Sequence, residues 1–158
     1  MDEPIAFFIT WTTYGTWLPG DARGWRKWRA GDQPPQPRLE AWCRERMTGR
    51  PVALSPEQRK LVEQACREHA RVRGWHIHAL SARTNHVHVA ITATGTKAQT
   101  VRDQLKANST RVLRRANPRL SSAKIWTRGG DCEILFTEDD LEQVFAYITE
   151  AQDKPREP

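Results

Sequence analysis

The stretch Thr84-Asn85-His86-Val87-His88-Val89-Ala90-Ile91 leaves this 158-residue chain the fewest folds to choose from. Its β-branched residues alternate with others, which predicts a strand. At period two, Val87, Val89 and Ile91 point to one face, and His86, His88 and Ala90 to the other. The first face needs an apolar layer packed on it; the second carries two imidazoles. Histidines two residues apart on a strand stand roughly 7 Å apart along the backbone, near enough to share one metal ion, and neutral imidazole is the commonest metal ligand. From the motif alone, two half-exposed histidines on a polar face are the commoner outcome. The rest of the chain has to decide.

The elements around this strand predict its partner layer. Ile5 to Thr13 is rich in β-formers and apolar on both faces, as a central strand covered on both sides would be. Ser55-Pro56-Glu57-Gln58 starts a helix with Ser as N-cap, Pro in the first turn and Gln completing a capping box. Leu61, Val62, Ala65, His69 and Val72 follow at helical spacing, and Gly74 ends it. His69 on that stripe reads as a packed residue. Trp75 to Ser81 is a second strand, turned by Ala82–Asn85 into the histidine strand. Thr96-Lys97-Ala98-Gln99 repeats the capping-box pattern and opens a helix that points Val101, Leu105, Val112 and Leu113 inward. Asn117-Pro118 ends it. Ile125–Arg128 and Cys132–Phe136 read as short strands around a Gly129-Gly130 turn. Thr137-Glu138-Asp139-Asp140 then caps a last helix. The order is β-α-β-β-α-β plus a C-terminal helix: an α+β, ferredoxin-like (RRM-like) antiparallel sheet with two helices on one face. One domain over 1–158 is expected, with an irregular Trp/Arg-rich insertion at about 14–54 and a short helix near Arg38–Met47.

The formal charge is +6 and seven residues are Trp. Such a chain suits an anionic partner, nucleic acid above all. Trp25-Arg26-Lys27-Trp28-Arg29 interleaves rings that stack on bases with cations that pair with phosphates. The same five residues would also serve to pin a loop to its own domain. Arg102, Lys106, Arg111, Arg114 and Arg115 form the polar side of the second long helix, crowding towards its end, and Arg128 follows in the next connection. These are candidate phosphate contacts. Cys43, Cys66 and Cys132 show neither zinc-site nor disulfide spacing, which fits a reducing, cytoplasmic setting. No apolar stretch reaches membrane-spanning length, and Met1-Asp2-Glu3-Pro4 opens no signal peptide.

The last helix offers the apolar stripe Leu141, Val144, Phe145 and Ile148 to the open, histidine-bearing face. Tyr147 falls about 100° from the centre of that stripe, at its flank. A phenol there either edges a packing seam or stands beside a phosphate.

Asn85-His86-Val87-His88, a tyrosine on a C-terminal helix and the basic split β-α-β order resemble the single-tyrosine HUH transposases. These include the REP-associated tyrosine transposases and insertion-sequence transposases. The opening Ile9-Thr-Trp-Thr-Thr-Tyr-Gly-Thr-Trp-Leu-Pro-Gly-Asp21 is similar to one branch of that family, and with Ile125-Trp126-Thr127-Arg128 the resemblance spans nearly the whole chain. It implies that His86 and His88 bind a divalent ion, Mg²⁺ or Mn²⁺, and that Tyr147 is the nucleophile. Attack on single-stranded DNA, of the hairpin-forming kind, would leave a 5′-phosphotyrosine and a free 3′-hydroxyl. The family's third ligand, an Asn or Gln one turn after the tyrosine, meets Ala151 here. Gln152, with Glu150 as the alternative, is the expected substitute. Tyr14 and Tyr147 are the two tyrosines of the chain. With one credible nucleophile per subunit, handling two DNA ends implies a homodimer.

Two other functions fit the same order. An RNA-recognition-like module would bind single-stranded nucleic acid on the open face without catalysis, although histidines stand where its stacking aromatics belong. A phosphoesterase would draw His76, His78, His86 and His88 into one centre, which requires a hairpin register that puts all four on one face.

Overall fold

The computed structural model describes residues 3–27 and 30–150, without the side chains of Arg26, Lys27 and Glu150. The first half contains β1 (Ala6–Thr12), β2 (Trp25–Lys27), β3 (Gly31–Gln33), α1 (Pro37–Glu45) and α2 (Pro56–Arg73). The second half contains β4 (His76–Ala82), β5 (His86–Thr92), α3 (Ala98–Ala116), β6 (Asp131–Leu135) and α4 (Glu138–Glu150). β4, β5, β1 and β6 form one sheet in that order, antiparallel throughout. This is the expected α+β arrangement. β2 and β3 pair separately as a small hairpin inside the insertion.

The period-two reading holds on both sides of the sheet. Val87, Val89 and Ile91 are fully buried with Ile9 and Trp11 against Val62 and Cys66 of α2 and Val101, Leu105 and Leu113 of α3. Each such aliphatic side chain contributes roughly 1.5–3 kcal/mol on leaving water. α2 starts and stops as its sequence requires. Ser55 and Gln58 form the reciprocal capping box, and Gly74 closes the helix at φ 75°, a left-handed position suited to a residue without Cβ. On the opposite face α4 lays Leu141, Val144 and Ile148 over Phe8, Ala79 and Ala90.

Three expectations are corrected. Phe145 is off the stripe and 46% exposed, because α4 meets the sheet through Leu141, Val144 and Ile148. α3 begins one residue later than the Thr96 capping box requires. Its N-cap is Lys97 with no side-chain cap, while the Thr96 N–H closes a turn onto the Ala93 carbonyl. Finally, Ile125–Arg128 and β6 do not form a hairpin with each other. Trp126 bridges Thr13 and Asp131 pairs with Thr10, so both segments run along β1. Gly129-Gly130 is a jog between them. A Cβ at Gly130 would meet the Thr10 carbonyl oxygen at 2.7 Å, which explains the glycine.

Candidate active site

The open face is a set of cross-strand rows. His88 sits between Thr10 of β1 and Ser81 of β4, and His86 is opposite Thr12. Strand alternation therefore brings both imidazoles to the side that α4 crosses, with ring centroids 4.5 Å apart. Thr10 Oγ1 is 2.8 Å from His88 Nδ1, and Asn85 Oδ1 is 2.6 Å from His86 Nδ1. With Nδ1 of each ring engaged, Nε2 is the nitrogen through which each would coordinate a cation. Outer partners of this kind set tautomer and ring orientation at metal sites. Thr10 was given no role from sequence, and Asn85 entered only as part of the Asn85-His86-Val87-His88 motif. Thr10 has no local signal at all, since its role comes from a partner 78 positions away.

The loop carrying Asn85 is held from outside the hairpin. Leu54 N–H donates to the Thr84 carbonyl (2.7 Å), and Thr13 N–H to the Asn85 carbonyl (2.9 Å). The insertion thus returns to the sheet at the histidine end and anchors the turn.

His88 is 6% exposed. Burial, then the neighbouring His86 and Arg83, lowers its pKa to about 3, so the ring is neutral, the form that ligates metal. Because the unfolded chain would protonate His88 near pH 6.5 and the folded one near 3, the unfolded state binds more protons across that window. Stability of the metal-free protein should therefore fall as pH drops from about 6.5, by up to roughly 1.4 kcal/mol per unit from this group. Burial lowers the pKa of His78 as well, adding in the same direction. The diagnostic is thus the difference between urea titrations of wild type and His88→Gln at several pH values. Equal slopes would assign the effect elsewhere.

Tyr147 is beside this pair. Its ring meets His88 edge-on at 5.4 Å and Phe8 at 6.1 Å between centroids, while half of the residue remains exposed. Phe8 also stacks on His88 at 5.6 Å. The flank position predicted from helical phase is thus the one that reaches His88. Tyr14 does not compete, because its hydroxyl accepts the Thr48 N–H at 3.0 Å in the insertion.

His76 and His78 also face this side, re-aimed by a bulge between Ile77 and Ala79. They form a separate pair, 4.5 Å between centroids, with His78 Nε2 2.7 Å from Thr92 Oγ1. Thr92 is four residues from His88, roughly 13 Å along the strand, and Ala79, Ala90 and Ile148 fill the space between. The four histidines do not make one centre.

Two adjacent imidazoles, that of His88 neutral, are a donor set that fits a divalent ion. Among the described residues no group of three or more His, Cys, Asp or Glu could hold a metal by itself. Gln152 lies outside the described residues, as does the side chain of Glu150.

The candidate DNA contacts divide into two groups. Lys106 Nζ is half-buried and donates to the Thr127 and Gly129 carbonyls, and Arg102 donates to the Gly130 carbonyl. Arg114 donates to the Leu120 and Ala123 carbonyls. These three tie α3 to the 117–130 connection. Arg111, Arg115 and Arg128 are exposed. In the insertion, the Trp25 Nε1–H donates to the Pro34 carbonyl and steadies the β2–β3 hairpin. The side chains of Arg26 and Lys27, and all of Trp28 and Arg29, lie outside the description. His69, bonded to Gln104 and Asn108, is a packed helix residue as expected. No described helix is long and apolar enough to cross a membrane.

Comparison with known proteins sets this geometry in context. Residues 46–151 match the sequence model of a family described as IS200-like transposase. Among solved structures, the chain is similar to a REP-associated tyrosine transposase bound to a REP hairpin. The TM-score is 0.55 at 13% identity, over 94% of this chain and 67% of that one. It is also similar to a candidate transposase of Deinococcus radiodurans, with TM-score 0.51 and 16% identity over 94% of this chain and 91% of the other. At these identities the two structures establish the fold. No curated protein sequence matches.

Proposed function

Because the chain belongs to the family of IS200-like transposases, we propose that it cuts and rejoins single-stranded DNA through a covalent 5′-phosphotyrosine at Tyr147. The observation that carries this reading is the approach of the Tyr147 ring to His88, 5.4 Å between centroids, on a face where both His86 and His88 have Nδ1 engaged. His86 and His88 would hold a Mg²⁺ or Mn²⁺ ion, with Gln152 or Glu150 as third donor. Such an ion supplies Lewis-acid polarisation of a phosphate and open coordination positions.

The side chains then divide the work. Phe8 and His88 hold the Tyr147 ring at the face, while its exposure keeps the phenol open to DNA. The Tyr147 oxygen attacks phosphorus in line and loses its proton to solvent. The bond to the 3′-oxygen breaks, and that oxygen leaves as a hydroxyl after taking up a proton. The ester bond is exchanged, not hydrolysed, so rejoining by a 3′-hydroxyl needs no nucleotide cofactor. Handling two ends would take a homodimer.

The partner is single-stranded DNA carrying a hairpin, by analogy with the hairpin-bound REP-associated transposase. Arg111, Arg115 and Arg128, with the Trp25–Arg29 segment, are the proposed contacts. Arg102, Lys106 and Arg114 would act chiefly by holding the connection that presents Arg128. Affinity should then fall steeply with salt. The log–log slope is about −0.7 per phosphate neutralised on single strands, measurable by fluorescence titration. A flat salt response would remove the DNA contacts from the proposal. Catalysis is tested by incubating the protein with labelled hairpin DNA and Mg²⁺ or Mn²⁺, then running a denaturing gel. An adduct bearing the 5′ phosphate is expected. None with any hairpin tried would favour the binding-only module, whose sheet face is here partly covered by α4.

A further inference from the structure

Beyond the tyrosine and the histidines, we infer that Arg83 is a catalytic residue that grips the scissile phosphate and balances its charge as the phosphorus is attacked. The inference rests on the transposase reading of the same face. Ala82 pairs with Val87, and the Arg83 N–H donates to the His86 carbonyl at 2.7 Å. Arg83 is therefore directly across from His86, and alternation sends its side chain to the histidine face. The row reads Arg83, His86, Thr12 across three strands; the next reads Ser81, His88, Thr10, Asp131.

Elimination strengthens the assignment. α2 and α3 lie on the opposite face, so Arg102, Lys106, Arg111, Arg114 and Arg115 stand behind the sheet. α4 contains no Lys or Arg. Among the described residues that the sheet strands and the β4–β5 turn direct to the open face, the others are neutral, acidic or histidine. Arg83 is the one with a permanent positive charge.

The backbone that carries Arg83 is also held. The two-residue turn behind it, Thr84-Asn85, is pinned by Leu54 and Thr13, so Arg83 starts from a fixed base. A planar guanidinium carries paired N–H donors whose geometry matches phosphate oxygens, and donors aimed where charge develops stabilise the transition state. Asp131 and Glu133 occupy the β6 side of the face. The charge gradient from Arg83 to these acids would draw an anionic strand to the β4 side, over the histidines.

The experiment compares wild type, Arg83→Ala and Arg83→Lys on a hairpin DNA whose cleaved step has been mapped. A second DNA carries a neutral methylphosphonate at that step. Adduct formation on normal DNA should fall on the order of 10²–10³-fold in Arg83→Ala, with partial recovery in Arg83→Lys. On the methylphosphonate the gap between wild type and Arg83→Ala should shrink to a few-fold. A second readout is affinity without metal, in EDTA: the methylphosphonate should weaken wild type and leave Arg83→Ala unchanged. An Arg83→Ala variant that cleaves at the wild-type rate would overturn the assignment. So would one that melts normally yet keeps its full deficit on the neutral step. If wild type itself forms no adduct with any hairpin tried, the transposase reading fails and takes the Arg83 assignment with it, whereas a wild-type adduct beside an unimpaired Arg83→Ala overturns the assignment alone.

Discussion

Tyr147→Phe should yield a folded protein that binds hairpin DNA and forms no covalent adduct. The ring and nearly all of its contact area with Phe8 and His88 remain, so stability should change by about 1 kcal/mol or less. The lost hydroxyl is exposed with its ring and leaves no buried polar group orphaned. Chemistry responds differently. No other phenol is near, since Tyr14 is bonded to Thr48 in the insertion. Adduct yield should fall by a factor on the order of 10⁴ or more, as when an enzyme loses its nucleophile. The check is a denaturing gel with labelled DNA beside a thermal melt and a binding titration. An adduct persisting in Tyr147→Phe would transfer the role to another residue, with Tyr14 first in line.

The second large effect concerns the histidine pair. His86→Ala and His88→Ala should each abolish metal-dependent cleavage, and calorimetric titration with Mn²⁺ should show affinity lost by on the order of 10²-fold or more. The graded control is Thr10→Val, which keeps the shape but removes the hydroxyl 2.8 Å from His88 Nδ1. It should cost roughly 10–100-fold in metal affinity with both ligands in place. His76→Ala and His78→Ala should leave cleavage intact, because that pair belongs to the other end of the face, beside Thr92. Full cleavage in both His86→Ala and His88→Ala would remove the metal site from this face.

Much of this was legible in residues close together in sequence. Val87, Val89 and Ile91 are buried against α2 and α3, and His86 and His88 are turned away from them, because a strand alternates whatever surrounds it. Ser55 and Gln58 cap α2 as their spacing dictates. The flank position of Tyr147 followed from 100° per residue. The misreadings arose where a local pattern met a distant competitor. Ile125–Arg128 has strand composition but shares β1 with β6, so Gly129-Gly130 makes a jog. Phe145 has the right spacing for burial, yet α4 meets the sheet through the other three residues of the stripe, Leu141, Val144 and Ile148.

By itself, then, the sequence determined which residues of the histidine strand share a face, where α2 begins and ends, and that an imidazole pair would turn away from the packed side of the sheet, with Tyr147 at the flank of the last helix. These follow from short-range periodicities that the backbone imposes. Tertiary structure alone decided what each polar group touches. It gave His88 the Thr10 hydroxyl as partner, turned Lys106 from a surface cation into a clamp on Thr127 and Gly129, and separated His76 and His78 from the other pair. It also brought Arg83 across from His86. Those contacts depend on strand register and on chain segments tens of residues away, where one position of slip would turn every side chain to the other face.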